Sequence, residues 1–106
     1  MDEAGPADIS GVFEDDGETG YLYVYNRATR EVVRNLHIYD RSRKFEVHAS
    51  DVRIVWSGDM NKCGVLIWGK MRGIIDVQQG RGGRVWLIDK DTPGISEGEW
   101  LSGFDK

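Results

Sequence analysis

The feature that most constrains the fold is a period-two alternation of side chains between residues 20 and 40. Successive side chains of a β-strand point to opposite faces, so an alternation of this kind predicts strands. The stretch divides into two alternating arms with a short polar connection between them, and it therefore predicts a β-hairpin. The first arm has Tyr21, Tyr23 and Tyr25 on one face and Leu22 and Val24 on the other.

The length of the connection decides which faces of the two arms combine. Cross-strand partners share a face, and a slip of one residue exchanges the faces. We favour a loop with an odd number of residues centred on Ala28, because an even loop would mix apolar and polar sets. In this register one face is a core face with Leu22, Val24, Val32, Leu36 and Ile38, and the other, the tyrosine-histidine face, has Tyr21, Tyr23, Tyr25, His37 and Tyr39.

Two interpretations of the tyrosine-histidine face remain open. A second sheet packed over it is the more common arrangement. A binding surface is the alternative, because phenolic hydroxyls and an imidazole can reach water from an otherwise apolar face.

The remaining segments indicate an all-β chain, either an antiparallel sandwich or a small open barrel of about seven or eight strands. Ser96 and Glu99 have the spacing of a helix-capping box, which predicts a short C-terminal turn of helix carrying Trp100, Leu101 and Phe104 as a lid over the sheet. Residues 1–8 are expected to be a flexible tail and residues 9–106 a single β-rich domain. The other predicted strands are residues 9–14, a short edge strand at 45–47, 51–56, one long bent strand at 63–77, and 84–89, with a basic loop at 41–44. The unbroken apolar run at residues 85–88 predicts burial on both faces of the last of these strands.

The composition of the chain indicates the cellular compartment in which the protein is expected. The 106 residues contain no apolar run close to the ~20 needed to span a bilayer. The first ten residues are acidic and polar, unlike a signal peptide, which begins with basic and then apolar residues. The single Cys63 cannot form an internal disulfide, which fits a reducing compartment. We therefore expect a cytoplasmic protein with no membrane partner.

Charge is unevenly distributed within the net charge of −4. Residues 1–26 carry seven acidic and no basic side chains, whereas residues 27–90 carry thirteen basic and seven acidic ones. Four of the acidic residues, Glu14, Asp15, Asp16 and Glu18, cluster around Gly17. The cluster is consistent with a solvated turn, a contact site for a basic partner, or a weak cation site, although the spacing of the usual twelve-residue calcium loop is absent.

No catalytic or metal-binding motif is present in the sequence. It contains neither a Gly-x-Ser-x-Gly elbow nor a phosphate-binding Gly-Lys-Ser/Thr loop. His37 and His48 do not have metal-ligand spacing, and Cys63 lies in an apolar pattern typical of an inert thiol. We expect no metal and no cofactor. Residues 81–84, RGGR, are similar to RNA-binding elements, but the acidic total disfavours nucleic acid as a partner.

Three stretches resemble a family of small bacterial proteins of unknown function that share an FEDDGETGY-like motif. These are VFEDDGETGYLY at residues 12–23, LHIY at 36–39 and GVLIW at 64–68. The similarity covers roughly residues 12–89. The resemblance implies a bacterial source and a compact β-rich fold, and it implies no activity or catalytic residue.

The leading hypothesis is a non-catalytic bacterial binding protein, of which an immunity protein against a basic toxin would be one instance. Acidic groups and tyrosines suit recognition of a basic protein partner. One alternative is a small-ligand-binding protein or enzyme with a cleft around His37 and Tyr39, and another is a self-associating structural protein in which the tyrosine-histidine face forms a homodimer interface. The predicted binding residues are Glu14, Asp15, Asp16, Glu18, Tyr21, Tyr23, Tyr25, His37 and Tyr39.

Overall fold

A computed structural model describes residues 1–40 and 45–104, and within them eight strands form two four-stranded antiparallel sheets. In each sheet the strands lie side by side in their sequence order. The first sheet contains β1 (Asp2–Ala4), β2 (Ile9–Asp15), β3 (Thr19–Asn26) and β4 (Glu31–Asp40). The second contains β5 (Val52–Trp56), β6 (Lys62–Ile67), β7 (Lys70–Asp76) and β8 (Arg81–Arg84), preceded by a 3-10 turn (Ala49–Asp51) and followed by α1 (Gly98–Leu101).

The two sheets pack face to face as a sandwich. β2 contacts β5 and β6, β3 contacts β6 and β7, and β4 contacts β7 and β8, so the strands of one sheet lie over those of the other. The prediction of an all-β fold of about seven or eight antiparallel strands is confirmed, and of its two forms, a sandwich or a small open barrel, the structure is the sandwich. Within the described residues the sheets do not close into a barrel. The core between the sheets contains Phe13, Leu22, Val24, Ile38, Tyr39, Val52, Ile54, Cys63, Val65, Ile67, Ile75 and Leu87.

The β3–β4 hairpin forms as predicted, but its register differs from the expected one. The connection is the four residues 27–30 between the paired Asn26 and Glu31, so the predicted odd loop centred on Ala28 is wrong. Beyond a register shift at Val24 and Tyr25, the central pairs are Leu22 with Leu36 and Tyr23 with Asn35. The predicted faces hold in this central part. Irregularities in the register near each end of the hairpin exchange the faces there, because an extra residue in one strand shifts the alternation.

Two core assignments in the hairpin are corrected by these irregularities. Val32, expected in the core, lies opposite Tyr25 and is 50% exposed. Tyr39, expected on the tyrosine-histidine face, lies opposite Gly20 and is fully buried. Its ring packs where a side chain at position 20 would be, since a Cβ on Gly20 would lie 2.4 Å from the ring.

The predicted single strand at residues 63–77 is wrong, because it is the hairpin of β6 and β7. Trp68 and Gly69 form its two-residue turn with positive φ angles of 53° and 79°, as such tight turns require. Next to the two-residue turn, an odd-numbered residue of one strand pairs with an even-numbered residue of the other, which is one change of parity. The irregular pairing between β6 and β7 adds an extra residue to one strand, which is a second change. The two changes cancel, so Cys63 and Ile75 face the core with the parity of one continuous strand.

The second half of the chain differs from expectation at three other places. Residues 45–47 are not a strand, and β8 ends at Arg84. The predicted basic loop at 41–44 lies outside the described residues. Residues 85–88 have no regular secondary structure and link the sheets, because the Val85 N–H donates to the Arg72 carbonyl of β7 at 3.1 Å and the Leu87 N–H donates to the Ile38 carbonyl of β4 at 3.3 Å. Only Leu87 is buried there, so the expected burial of both faces is wrong.

Both ends of the described part of the chain pack against the sandwich. Residues 1–8, expected as a flexible tail, include β1, which pairs with β2. The predicted helical turn is present as α1, but its N-cap is Glu97 and no side chain caps it. Trp100 packs on Gly83, and Phe104 packs near Gly64 on the outer side of the second sheet. No helix among the described residues is long and apolar enough to cross a bilayer.

Candidate binding face

The side of the first sheet that points away from the second sheet brings most of the predicted site residues together. We call it the outer face. Cross-strand pairing fixes its members, because partners on neighbouring strands share a face. It carries three carboxylates and three tyrosines. The Arg27 guanidinium reaches the edge of this face, because it donates a hydrogen bond to Ser10 Oγ at 3.2 Å. None of the described positions on the face is itself a lysine or an arginine. These positions are Asp2, Ala4, Ser10, Val12, Glu14, Thr19, Tyr21, Tyr23, Tyr25, Val32, Asn35, His37 and Asp40.

Aromatic contacts order one end of the outer face. The rings of Tyr21 and His37 stack at 5.1 Å between centroids, and Trp86 meets His37 edge-on at 5.2 Å. His37 Nε2 lies 3.0 Å from Asp40 Oδ1, although the angles are not those of a hydrogen bond. Arg84 lies 4.8 Å from the Trp86 ring at the border of the face. This end of the outer face therefore has the negative charge of Asp40, with the positive charge of Arg84 at its border.

Tyr23 and Glu14 form a second centre on the outer face. Burial raises the pKa of the Tyr23 phenol, and the charge of Glu14 together with a hydrogen bond to its carboxylate raises that pKa further. Asp2 contributes to the same rise with its negative charge. The phenol is therefore neutral at physiological pH, and two carboxylates lie around it.

The acidic turn, residues 14–18 at the junction of β2 and β3, uses two of its carboxylates as hydrogen-bond acceptors within the protein. Asp16 Oδ1 accepts hydrogen bonds from the backbone N–H groups of Thr19 at 2.8 Å and Glu18 at 2.9 Å, which hold the pKa of Asp16 below its usual range. Asp15 accepts one hydrogen bond from the Gly17 N–H at 2.8 Å and another from the Tyr39 hydroxyl at 2.6 Å. These carboxylates hold the β2–β3 turn and the buried tyrosine.

The predicted cleft around His37 and Tyr39 does not form, because the two side chains lie on opposite sides of β4. His37 is on the outer face against Tyr21. Tyr39 is fully buried in the core, where its ring contacts those of Phe13 and Phe45 at 6.2 Å and 5.6 Å. A buried Tyr39 cannot contact a partner on the outer face, so it is removed from the site.

Residues 3–90 match the profile of a bacterial family described as "Uncharacterized protein conserved in bacteria (DUF2251)". The chain belongs to the DUF2251 family. This confirms the expected membership in a bacterial family of unknown function. The match spans both sheets and ends before α1. No curated protein and no solved structure matches this DUF2251 chain.

Four cavities of the DUF2251 chain are lined by described residues, and His37 lines none of these four. The largest, 260 Å³, lies beside Leu66 and Trp68 on the second sheet. Within the described residues, no group of three or more His, Cys, Asp or Glu side chains could hold a metal ion. Burial raises the pKa of the Cys63 thiol to about 12, so that thiol is inert at physiological pH.

Sequence reasoning missed three members of this surface in the DUF2251 chain. Asp2 was assigned to a tail, and only its pairing opposite Val12 places it on the outer face. Asp40 was taken as the end of the hairpin, and the irregular register turns it outward, opposite Thr19. Trp86 was expected to be buried, whereas it is 38% exposed and packs on His37. Residues 85–88 are an unbroken apolar run, so the sequence gives no alternation that could have indicated an exposed side.

Proposed function

We propose that this DUF2251 protein is a non-catalytic bacterial binding protein, located in the cytoplasm, which holds a basic protein partner against its outer face. The observation that carries the proposal is the composition of that face. Asp2, Glu14 and Asp40 point outward from one sheet, with three partly buried tyrosines between and beside them. At pH 7 these three carboxylates give the face a negative charge.

The tyrosines supply the apolar area that such a contact needs. Tyrosine is enriched at protein interfaces because it combines a large ring with a polar hydroxyl. Tyr21, Tyr23 and Tyr25 are ordered by the strand and by their neighbours, so little side-chain entropy is lost when a partner covers them. Acidic groups at the rim of an interface act mainly through association rate and through selection of a basic partner.

Binding of a simple cationic probe tests the proposal. The probe is a fluorescent hepta-arginine peptide, and its affinity for the protein is measured by anisotropy at several salt concentrations. The outer-face variant combines Asp2→Asn, Glu14→Gln and Asp40→Asn. Exposed ion pairs contribute about 0.2–1 kcal/mol each, so the variant should bind the probe roughly tenfold more weakly.

A matched control separates a binding face from overall charge. The control combines Glu31→Gln, Asp91→Asn and Glu97→Gln, three exposed carboxylates elsewhere on the chain, and it changes the net charge by the same amount. It should bind the probe within about twofold of the wild type if long-range charge contributes little. An equal loss in both variants, or no binding of the probe to the wild type, would refute the proposal.

A further inference from the structure

We infer that the basic segment held on the outer face is an extended chain of about seven residues with its cationic side chains at alternate positions. The inference rests on the proposed function and specifies the form of the partner. It follows from the placement of the three outer-face carboxylates relative to one another.

The register of the first sheet fixes these placements. Asp2 lies opposite Val12, which lies opposite Tyr23. Glu14 lies opposite Tyr21, two residues further along β3, and Asp40 lies opposite Thr19, two residues beyond that. Each carboxylate is thus two residues further along the strands than the one before it, and it is also one or two strands further across the sheet.

Ideal strand geometry converts these steps into distances. With about 3.4 Å per residue along a strand and about 4.8 Å between strands, the α-carbons of Asp2 and Glu14 are about 8 Å apart. On the same basis Glu14 and Asp40 are about 12 Å apart, and Asp2 and Asp40 about 20 Å apart. The three carboxylates therefore lie close to one diagonal line across the outer face.

An extended chain matches this line. Six residue steps of about 3.3 Å cover about 20 Å, and every second side chain points to the same side. Residues one, three and seven of such a segment would face Asp2, Glu14 and Asp40 in turn or in the reverse order. An α-helix rises only about 1.5 Å per residue, so seven helical residues reach about half of the distance.

The aromatic side chains lie beside the same line. Tyr21 and Tyr23 are on β3, between the strands that carry Glu14 and Asp40. A guanidinium or ammonium group that reaches one of these carboxylates passes close to a phenol ring, where cation–π attraction adds to the ion pair. An extended segment also keeps its backbone flat enough to cover both rings.

Two peptides of equal composition test the inference. The first, RSRSRSR, has arginines at alternate positions, and the second, RRRRSSS, has the same four arginines in one block. In an extended conformation only two of the four blocked arginines face the protein, and they span one end of the diagonal. RSRSRSR should bind the wild-type protein at least fivefold more tightly, and the outer-face variant should bind the two peptides equally.

The outcomes separate this inference from the proposed function. Equal binding of both peptides to the wild type, lost in the outer-face variant, would overturn the extended alternating arrangement and leave the basic-partner face standing. Failure of both peptides to bind the wild type would overturn both. Circular dichroism of each variant establishes that it is folded before the affinities are compared.

Discussion

Replacing Gly11 with alanine tests the packing of the two sheets at one defined contact. Gly11 lies on β2 with its α-carbon facing the second sheet. A Cβ at this position would lie 2.3 Å from Cys63 Sγ and 3.1 Å from Ile54 Cγ2. Cys63 is fully buried, so its sulfur cannot move into solvent to make room. The added methyl group must therefore push the sheets apart or displace core side chains.

The size of the effect follows from two opposing contributions. Overpacking a core costs about 1–3 kcal/mol. Alanine also restricts the unfolded chain relative to glycine, which returns about 0.4–1 kcal/mol. We expect Gly11→Ala to lower the free energy of unfolding by about 1–2 kcal/mol as the balance of these terms. Cys63→Ala alone should lower it by about 1–2 kcal/mol through the cavity left by the sulfur.

The double variant provides the decisive comparison. The alanine methyl group at position 11 would occupy part of the volume that the Cys63 sulfur vacates. The loss in the double variant should therefore be smaller than the sum of the two single losses by about 1 kcal/mol or more.

Urea unfolding at 25 °C of the wild type, both single variants and the double variant measures this coupling. Gly98→Ala serves as a control, because a Cβ on Gly98 meets no atom within 4 Å. Losses that add to within about 0.5 kcal/mol would refute the contact, because residues in contact are expected to couple. A neutral Gly11→Ala variant would refute the close approach of β2 to β6.

Three further predictions concern titratable groups. The Cys63 thiol, whose pKa is raised to about 12 by burial, should not react with a disulfide reagent at pH 8 until the protein is unfolded in urea. In an ultraviolet titration, the Tyr23 phenol should ionise above the usual tyrosine range, and Glu14→Gln should lower its pKa by removing the negative charge and replacing the carboxylate acceptor with a weaker, neutral amide oxygen. The Thr19 backbone N–H donates a hydrogen bond to the charged carboxylate of Asp16 and so holds the pKa of Asp16 below its ordinary value of 3.8. The carboxylate therefore stabilises the folded protein above pH 3.8, and this contribution is lost as the pH falls through the lower pKa of the folded state. Asp16→Asn should make the free energy of unfolding fall less steeply below about pH 4.

Local alternation predicted the fold class and the central part of the hairpin. Tyr21 and Tyr23 share a face, and Leu22 and Val24 are fully buried on the other, because parity within one strand is a local property. Where the pairing of two strands is irregular, the face on which a residue lies depends also on the partner strand, which local alternation does not show. The position of Tyr39 depends on an extra residue in β4 and on the missing side chain of Gly20, neither of which alternation reveals.

The same limit applies to the second sheet and to the outer face. The β6–β7 hairpin reads as one strand because its two parity changes cancel, and only the paired strands reveal the turn at Trp68 and Gly69. The outer face takes Asp2 from β1 and Asp40 from the end of β4, so its charge pattern exists only after four strands have paired. The tyrosines could be predicted from the sequence, whereas the diagonal of carboxylates could not.

The sequential order of strands in each sheet has a consequence for how the protein can be divided. Residues 2–40 supply the whole first sheet and residues 52–84 the whole second, so every strand pairing joins neighbours in the chain. Such short-range pairings favour rapid folding for an all-β protein, since little loop entropy is lost before each contact forms. Each half alone would expose the apolar side that its counterpart covers. Two peptides divided between residues 40 and 45 are thus natural candidates for fragment complementation, in which neither half is stable until it meets the other.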